Sequence, residues 1–360
     1  METVRVDLKE EIDSSYDIRI GEGLADSLAA ELKNKPIADA YAIISDSNVA
    51  KLYGKKMLGD FHKKNLRAYL IAFPAGEKNK SRKIKEKIEN EMLRLSLKRD
   101  ACIIALGGGV TGDLAGFTAA TYMRGIPFIQ VPTTFLAMAD SSIGGKTAVD
   151  ARNAKNVIGS FHQPKKVIID LNFLKTLPKK ELTNGLAEAI KHALIKDKDF
   201  FRFLEKNMDK IFELDSKILS LSIKRSCEIK AKIVMQDEFE KGIRKLLNYG
   251  HTIGHAIESA LNYKISHGDA VAIGMSHAAS LSARLGFLEQ GSLIRHNNLL
   301  LRAGLMHKIS HHELKPKKIL ENVQYDKKIM GGKINFVLLK SIGDAFVSDK
   351  VAIEDIKNII

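Results

Sequence analysis

Residues Ala101 to Asp113 read A-C-I-I-A-L-G-G-G-V-T-G-D, and their order decides the fold. A short, wholly apolar run bounded by glycine fits a strand buried on both faces, as in a parallel sheet. Gly107, Gly109 and Gly112 then match G-x-G-x-x-G, the spacing in which backbone without side chains approaches a pyrophosphate at a helix amino terminus. Two features depart from the usual Rossmann arrangement. The region about 20 residues on reads I-Q-V-P-T-T and lacks the acidic ribose partner, and the glycines follow several earlier strands rather than the first. The stretch predicts a dinucleotide site of an unusual kind, with Asp46 as the ribose-binding candidate from a neighbouring strand end. A glycine-rich turn that only packs a helix on a sheet is the alternative.

Outward from this stretch the amino-terminal half is strand-rich. Val4 to Leu8 and Tyr16 to Ile20 alternate apolar and polar, as edge strands do. Tyr41 to Ser45 is a buried-strand candidate that runs into Asp46-Ser47-Asn48-Val49, and polar groups at the carboxyl end of a strand are where open α/β sheets keep ligands. Arg67 to Phe73 is a third strand, ending in P-A-G-E-K-N-K-S before an amphipathic helix from Ser81 to Leu95. Phe128 to Val131 and Val167 to Leu171 complete the series. Between them Asp140-Ser141-Ser142-Ile143-Gly144-Gly145-Lys146-Thr147 ends in G-K-T, but the upstream glycine of a triphosphate loop would fall on Asp140, so ATPase chemistry loses most of its support. Lys146, Lys155 and Asn156 are instead candidates for holding an anionic substrate.

Leu177-Pro178 marks the expected boundary, after which a 3.6-residue period takes over. Helices are predicted over Lys180 to Ile195, Phe200 to Phe212, Ser216 to Val234, Arg244 to Ala260 and Ala270 to Leu285. Lys333 to Leu339 and Ala345 to Val347, around Gly343-Asp344, read as a small hairpin. Within the fourth helix, L-N-Y-G-H-T-I-G-H-A-I-E from Leu247 places His251 and His255 four apart on one face, with Glu258 a further turn along. His267 and Glu188, from G-L-A-E-A-I-K, add an imidazole and a carboxylate, a divalent-metal set of the zinc type. A bare H-x-x-x-H more often serves local hydrogen bonds than a metal. It lacks the glutamate after the first histidine that a zinc metalloprotease uses as its base, which disfavours protease chemistry.

The expected architecture is therefore an α/β, Rossmann-like domain over residues 1–178 and a mainly helical, metal-binding domain over residues 179–360, with the chemistry in the cleft between them. A chain of 360 residues makes two domains the natural expectation. The charged start M-E-T-V-R-V is no secretory signal, no apolar run is long enough to span a bilayer, and Cys102 and Cys227 lie far apart; a cytoplasmic protein is expected. The net charge of +14 raises nucleic acid as a partner. However, the lysines and arginines alternate with glutamates, as in S-R-K-I-K-E-K-I-E-N-E from Ser81, and form no basic tail or stripe. Anionic small molecules fit better than nucleic acid or membrane.

Four long motifs carry a resemblance: G-G-G-V-T-G-D-L-A-G-F-T-A-A-T-Y-M-R-G from Gly107, P-T-T-F-L-A-M-A-D-S-S-I-G-G-K-T from Pro132, A-E-A-I-K from Ala187 and R-K-L-L-N-Y-G-H-T-I-G-H-A-I-E from Arg244. In these the chain resembles the 3-dehydroquinate synthase family, sugar phosphate cyclases related to the glycerol-dehydrogenase-like enzymes. It departs at Phe135 and Met138, where Leu and Gln are common, and at Ala148, Asp150 and Ala154, where Gly, Asn and Gly are expected. The resemblance implies conversion of 3-deoxy-D-arabino-heptulosonate 7-phosphate to 3-dehydroquinate and phosphate in the shikimate pathway. Transient NAD oxidation, phosphate elimination, re-reduction and aldol closure are its steps. It also implies the cofactors, NAD and zinc or cobalt, and a homodimer in which Arg124 reaches the neighbouring active site.

Roles come by the same match. Glu188, His251 and His267 correspond to metal ligands. His255 corresponds to a proton-transferring group at the substrate, beside catalytic Lys146, Lys191, Lys230, Arg244 and Asn248. Asp140, Lys155, Asn156, Arg124, Glu240 and one of Lys327 or Lys328 correspond to substrate contacts. The cofactor side comprises Asp46, Asn48, Glu77, Lys80, Gly107, Gly108, Gly109, Asp113, Thr133, Thr134, Asp140, Ser141, Lys146 and Lys155. The alternatives are another cyclase, making valiolone or a deoxy-inosose, or a metal-dependent polyol dehydrogenase.

Overall fold

The computed structural model describes residues 13–151, 154–261, 264–306, 316–329 and 335–359, with backbone only at 154, 316 and 324–329. The predicted strand Val4 to Leu8 lies outside the described residues.

Six parallel strands form the amino-terminal sheet: β1 (Asp17–Gly21), β2 (Ala40–Asp46), β3 (Arg67–Phe73), β4 (Ala101–Gly107), β5 (Phe128–Pro132) and β8 (Lys166–Asp170), in the order β1-β8-β5-β4-β2-β3. Every residue of β4 is buried, so the apolar run sits at the sheet centre with helices on both faces. On one face Leu28 and Leu32 of α1 (Leu24–Asn34) pack with Tyr41, Ile43 and Phe61 of α3 (Lys55–Lys63); α3 continues α2 (Ser47–Val49) through a π-helical turn. On the other face Ile88 and Met92 of α4 (Arg82–Arg94) pack with Ile44 and with Leu114 of α5 (Gly109–Thr121). From β2 the chain moves outward to β3, and from β4 it moves the other way to β5, so the carboxyl ends of β2 and β4 flank a topological switch point. Asp46 and Gly107 end those two strands.

Sequence reading missed an antiparallel hairpin, β6 (Lys146–Ala151) with β7 (Ala154–Phe161). Its ladder slips between Val149 and Ala151, and Asn156 adopts a left-handed backbone, so no clean two-residue period survives in the sequence. It packs on α5, where a Cβ on Gly116 would lie 2.5 Å from Thr147.

The helical half is built around α6 (Lys179–Lys196), whose residues from Gly185 to Ile195 are all buried. A helix apolar all round belongs in a core. Around it stand α7 (Lys198–Phe212), α8 (Ser216–Gln236), α9 (His251–Ala260), α10 (His267–Arg284), α11 (Gln290–Arg302), α12 (Pro316–Ile329), the hairpin β9 (Phe336–Ser341) and β10 (Asp344–Ser348), and α13 (Ile353–Lys357). One hydrophobic cluster runs from Leu28 of α1 through Ile190 of α6 to Leu338 of β9, so the helical half shares its core with one face of the sheet. No helix among the described residues is long and apolar enough to cross a membrane.

The helix predicted over Arg244 to Ala260 is not continuous. A 3₁₀ turn covers Ile243–Asn248, the chain breaks at Tyr249-Gly250, and α9 starts at His251. Gly250 has φ of 80°, and a Cβ there would lie 2.8 Å from the Met275 nitrogen and the Val271 oxygen of α10. The close backbone approach and the left-handed turn both require glycine, and together they override the helical period. Similarly α10 starts three residues before the predicted Ala270, because Ser266 caps it by accepting from the Asp269 N–H at 3.1 Å.

Candidate active site

The metal-type residues converge from three helices. Glu188 lies on α6 and is 1% exposed; His251 and His267 are the first residues of α9 and α10. The Nε2 atoms of His267 and His251 stand 3.3 and 3.5 Å from Glu188 Oε1. His251 Nδ1 is 3.2 Å from the Tyr249 carbonyl, which fixes that nitrogen as the donor and leaves Nε2 free to ligate. Two helix amino termini therefore face one buried carboxylate, and their dipoles favour its charge. Burial opposes that charge, but Lys191 and His251 outweigh it and hold Glu188 well below the usual carboxylate range. Burial likewise opposes a charge on His267, yet Glu188 and Glu258 raise it to about 9. The donor set of two imidazoles and a carboxylate attracts a cation and fits a divalent ion.

His255 separates from this set. Its ring lies 5.2 Å from that of His251 and 6.2 Å from that of His267, and its edge opens to the cleft. Desolvation and the two neighbouring imidazoles push it down to about 3. Glu258, to which sequence reading gave only a place on the same helix face, is buried beside His255. It accepts from Lys155 at 3.1 Å and lies 3.5 Å from His267 Nδ1. The helical spacing that found the histidines contained this signal.

Asp140 forms a second node, in the π-helical turn Ala137–Ser141. Its carboxylate meets Lys191 at 3.4 Å and also Lys230, whose ammonium donates to the Asp140 carbonyl at 3.0 Å as well. Burial works against the Asp140 charge, but Lys191 and Lys230 hold it below its ordinary value. Burial lowers Lys230 despite Asp140, whereas Lys191, facing Asp140 and Glu188, is raised against its own burial. His192, fully buried next to this node and pushed down to about 3, chiefly by burial, was not anticipated; the apolar run A-I-K-H-A-L-I hides it.

Across a cleft of about 1360 Å³ stands the glycine turn. Gly108 and Gly109 line it at the amino terminus of α5, while Gly107 lies behind, where a Cβ would come within 2.4 Å of Thr111 Oγ1. Asp46 caps the following helix by accepting from the Asn48 and Val49 N–H groups at 2.9 and 3.2 Å, and its other oxygen is 3.5 Å from Thr111 Oγ1. Asn48, Glu77, Thr133, Thr134, Ser141 and Asp113 line the same wall. Lys80, 4% exposed, donates to Asp113 at 2.5 Å and to Asn156.

Lys155, Asn156, Asp140, Glu240 and Asn248 line the cleft too; Lys146 stands at its rim with its ammonium on Glu240. Lys191, Lys230 and Arg244 stand behind the lining. Arg244, 1% exposed, donates to the Gly144 carbonyl at 2.9 Å and to the Glu238 carbonyl over the Phe161 ring. Arg124 does not line the cleft; it sits in the turn Tyr122–Arg124 with φ of 67°. Lys327 and Lys328 fall on α12, and their side chains lie outside the described residues, although Asn322 of that helix lines the cleft. Phe161 and Phe239, paired edge to face at 5.2 Å at the cleft wall, were not foreseen.

The sequence matches the family described as 3-dehydroquinate synthase N-terminal over residues 70–184 and 3-dehydroquinate synthase C-terminal over residues 185–329. The 3-dehydroquinate synthase of Thermodesulfovibrio yellowstonii is 43% identical over 361 residues, covering 100% of this chain and 99% of its own. The chain belongs to the 3-dehydroquinate synthase family. The Thermoanaerobacter pseudethanolicus member is 44% identical, with 97% of each chain covered. Among solved structures, the 2-epi-5-epi-valiolone synthase of Streptomyces hygroscopicus, with NAD+ and Zn2+ bound, superposes with a TM-score of 0.90 at 28% identity, over 99% of this chain and 98% of that one. A 2-deoxy-scyllo-inosose synthase complexed with carbaglucose-6-phosphate, NAD+ and Co2+ gives 0.86 at 29%, with 95% of each covered. The Thermotoga maritima butanol dehydrogenase, at 0.67 and 16%, shares the fold alone.

Of the departures from the 3-dehydroquinate synthase family noted above, Phe135, Met138, Ala148 and Asp150 do not line the cleft. Phe135 and Met138 are fully buried and fill core, and Asp150 accepts from the Asn156 N–H at 3.0 Å, supporting the hairpin turn.

Proposed function

We propose that the cleft converts 3-deoxy-D-arabino-heptulosonate 7-phosphate to 3-dehydroquinate and phosphate, a phosphate-eliminating lyase reaction. In this reading NAD lies on the ends of β2 and β4, and Glu188, His251 and His267 hold a zinc or cobalt ion. The observation that carries it is one cleft with a glycine turn at a helix amino terminus on one wall and a two-histidine, one-carboxylate set on the other. The two cyclase structures with NAD+ and Zn2+ or Co2+ support the cofactors. When bound, the ion supplies Lewis acidity at substrate hydroxyls, and the dinucleotide takes up and returns one hydride.

The chain's own groups bind, orient and move protons. Gly108 and Gly109 admit the pyrophosphate, and Asp46, with one carboxylate oxygen spent on the cap, offers the other to the ribose. Lys155 and Asn156 face the substrate anions, and Lys191 and Lys230 keep positive charge behind Asp140 so that the floor of the cleft does not repel them. His255 opens to the cleft beside the donor set and is positioned to accept a proton as the carbon acid next to the transient ketone ionises, then return it. The halves 1–178 and 179–360 act as the two walls. We place the enzyme in the cytoplasm as a homodimer, in which Arg124, away from its own cleft, serves the neighbouring one.

Incubation with the heptulosonate phosphate, NAD and zinc is expected to release phosphate and form dehydroquinate in equal amounts, with no net NADH. Turnover of sedoheptulose 7-phosphate without dehydroquinate formation would transfer the assignment to another cyclase. Stoichiometric NADH would transfer it to a polyol dehydrogenase.

A further inference from the structure

Glu240 carries a left-handed backbone, φ 60°, a region that a residue with a side chain occupies only when its surroundings enforce it. The enforcing group is Asp237, at the carboxyl end of α8. Its Oδ1 accepts from the Lys241 N–H at 2.8 Å, and its Oδ2 accepts from the Gly242 and Arg244 N–H groups at 2.7 and 3.0 Å. Three backbone N–H groups within four residues are thereby tied to one carboxylate. Two side chains of this loop meet different partners. Glu240 enters the cleft, where it accepts from Asn248 at 2.8 Å and meets the Lys146 ammonium. Arg244 turns inward to the Gly144 and Glu238 carbonyls and so ties the loop to the strand-rich half.

We infer that Asp237 is a positioning residue for the reaction: it fixes the 238–244 loop so that Glu240, Lys146 and Asn248 hold one geometry around the substrate. This rests on the function proposed above. Asp237 itself does not line the cleft, and its role is exerted through Glu240 and Arg244. An asparagine fits the same space but can accept at one atom only, so at least one of the three N–H groups faces an amide NH₂ instead.

Asp237→Asn, Glu240→Gln and the double variant test this in the zinc- and NAD-loaded enzyme. Asp237→Asn is expected to raise KM for the heptulosonate phosphate about tenfold and to lower kcat by a comparable factor, because misplacement by fractions of an ångström is costly at a reacting centre. Zinc content and NAD affinity are expected to stay within about twofold of wild type. Amide exchange over residues 238–244 is expected to quicken about tenfold, a readout that does not depend on turnover. The double variant is expected to lose little more than the worse single variant, since both act through Glu240. Unchanged exchange in the loop, unchanged KM, fully additive losses, or loss of zinc and fold in Asp237→Asn would each overturn the inference. Absence of turnover in the wild type would instead overturn the proposed reaction, leaving the exchange result to judge the loop.

Discussion

Replacing His251 and His255 one at a time separates two jobs that sequence spacing makes look identical. In the structure the Nε2 atom of His251 is 3.5 Å from Glu188 Oε1, whereas His255 groups instead with Glu258 and His267. Structural zinc sites contribute about 10–16 kcal/mol over four ligands, so one ligand accounts for roughly 3 kcal/mol, on the order of a hundredfold or more in affinity. His251→Ala is therefore expected to weaken zinc binding at least a hundredfold and abolish turnover with it. It also deprives the Tyr249 carbonyl of its donor, a loss of about 1 kcal/mol of stability. His255→Ala is expected to bind zinc within about threefold of wild type while kcat falls by about 10²–10⁴, the usual contribution of a positioned proton-transfer group. Competition with a chromophoric chelator, together with metal content per chain after gel filtration, reads both affinities. If His255→Ala loses the ion while His251→Ala keeps it, the metal lies on His255, Glu258 and His267, and the division of labour argued here is wrong.

Two further predictions concern the scaffold around the cleft. Lys80 faces Asp113, Glu77 and Asp150 and stays charged despite burial, whereas burial pushes Asp113 up against its main partner Lys80. Lys80→Met leaves that carboxylate uncompensated and is expected to cost about 3–5 kcal/mol in urea unfolding, with part recovered on adding Asp113→Leu; a loss below 1 kcal/mol refutes it. His296 is fully buried, with Nε2 3.2 Å from the Tyr249 hydroxyl and Nδ1 2.9 Å from Asn297 Oδ1, and burial pushes it down to about 4. The unfolded chain therefore binds a proton between about pH 6.5 and 4 that the folded chain refuses, so this contribution to stability is complete above 6.5 and is lost as pH falls toward 4, by at most about 3 kcal/mol. His296→Gln is expected to flatten the slope of unfolding free energy against pH in that window by up to one proton; an unchanged slope refutes the assignment.

The central strand and its glycines were legible because burial on both faces leaves an unmistakable apolar run, and Arg67 to Phe73 matched its strand at both ends. What sequence could not supply was anything set by partners distant in the chain. The β6–β7 hairpin owes its place to packing on α5, and its slipped ladder erased the alternation that would have announced it. Glu258 was placed on the histidine face but given no role, and His192 was passed over, because their significance lies in Lys155, His267 and Asp140, distant in sequence. The glycine turn lies at the sheet's switch point and lines the cleft, and it is the strand order, not the motif, that brings Asp46 beside it.

The break at Gly250 explains how one short segment sends its side chains to different partners. On an unbroken helix Arg244, Asn248, His251 and His255, at spacings of four, three and four, would form a single stripe and point the same way. Such a stripe would bring a guanidinium alongside the imidazoles of the metal-type set, and like charge there would oppose a cation. Gly250 prevents this. Its left-handed turn, clamped against Val271 and Met275, ends the 3₁₀ run so that Arg244 reaches back to Gly144, Asn248 meets Glu240 at the cleft, and α9 begins anew with His251 at its positive end facing Glu188. The loss of helical continuity is what lets a guanidinium turned back on Gly144 and an imidazole facing Glu188 emerge from residues only seven apart in the chain.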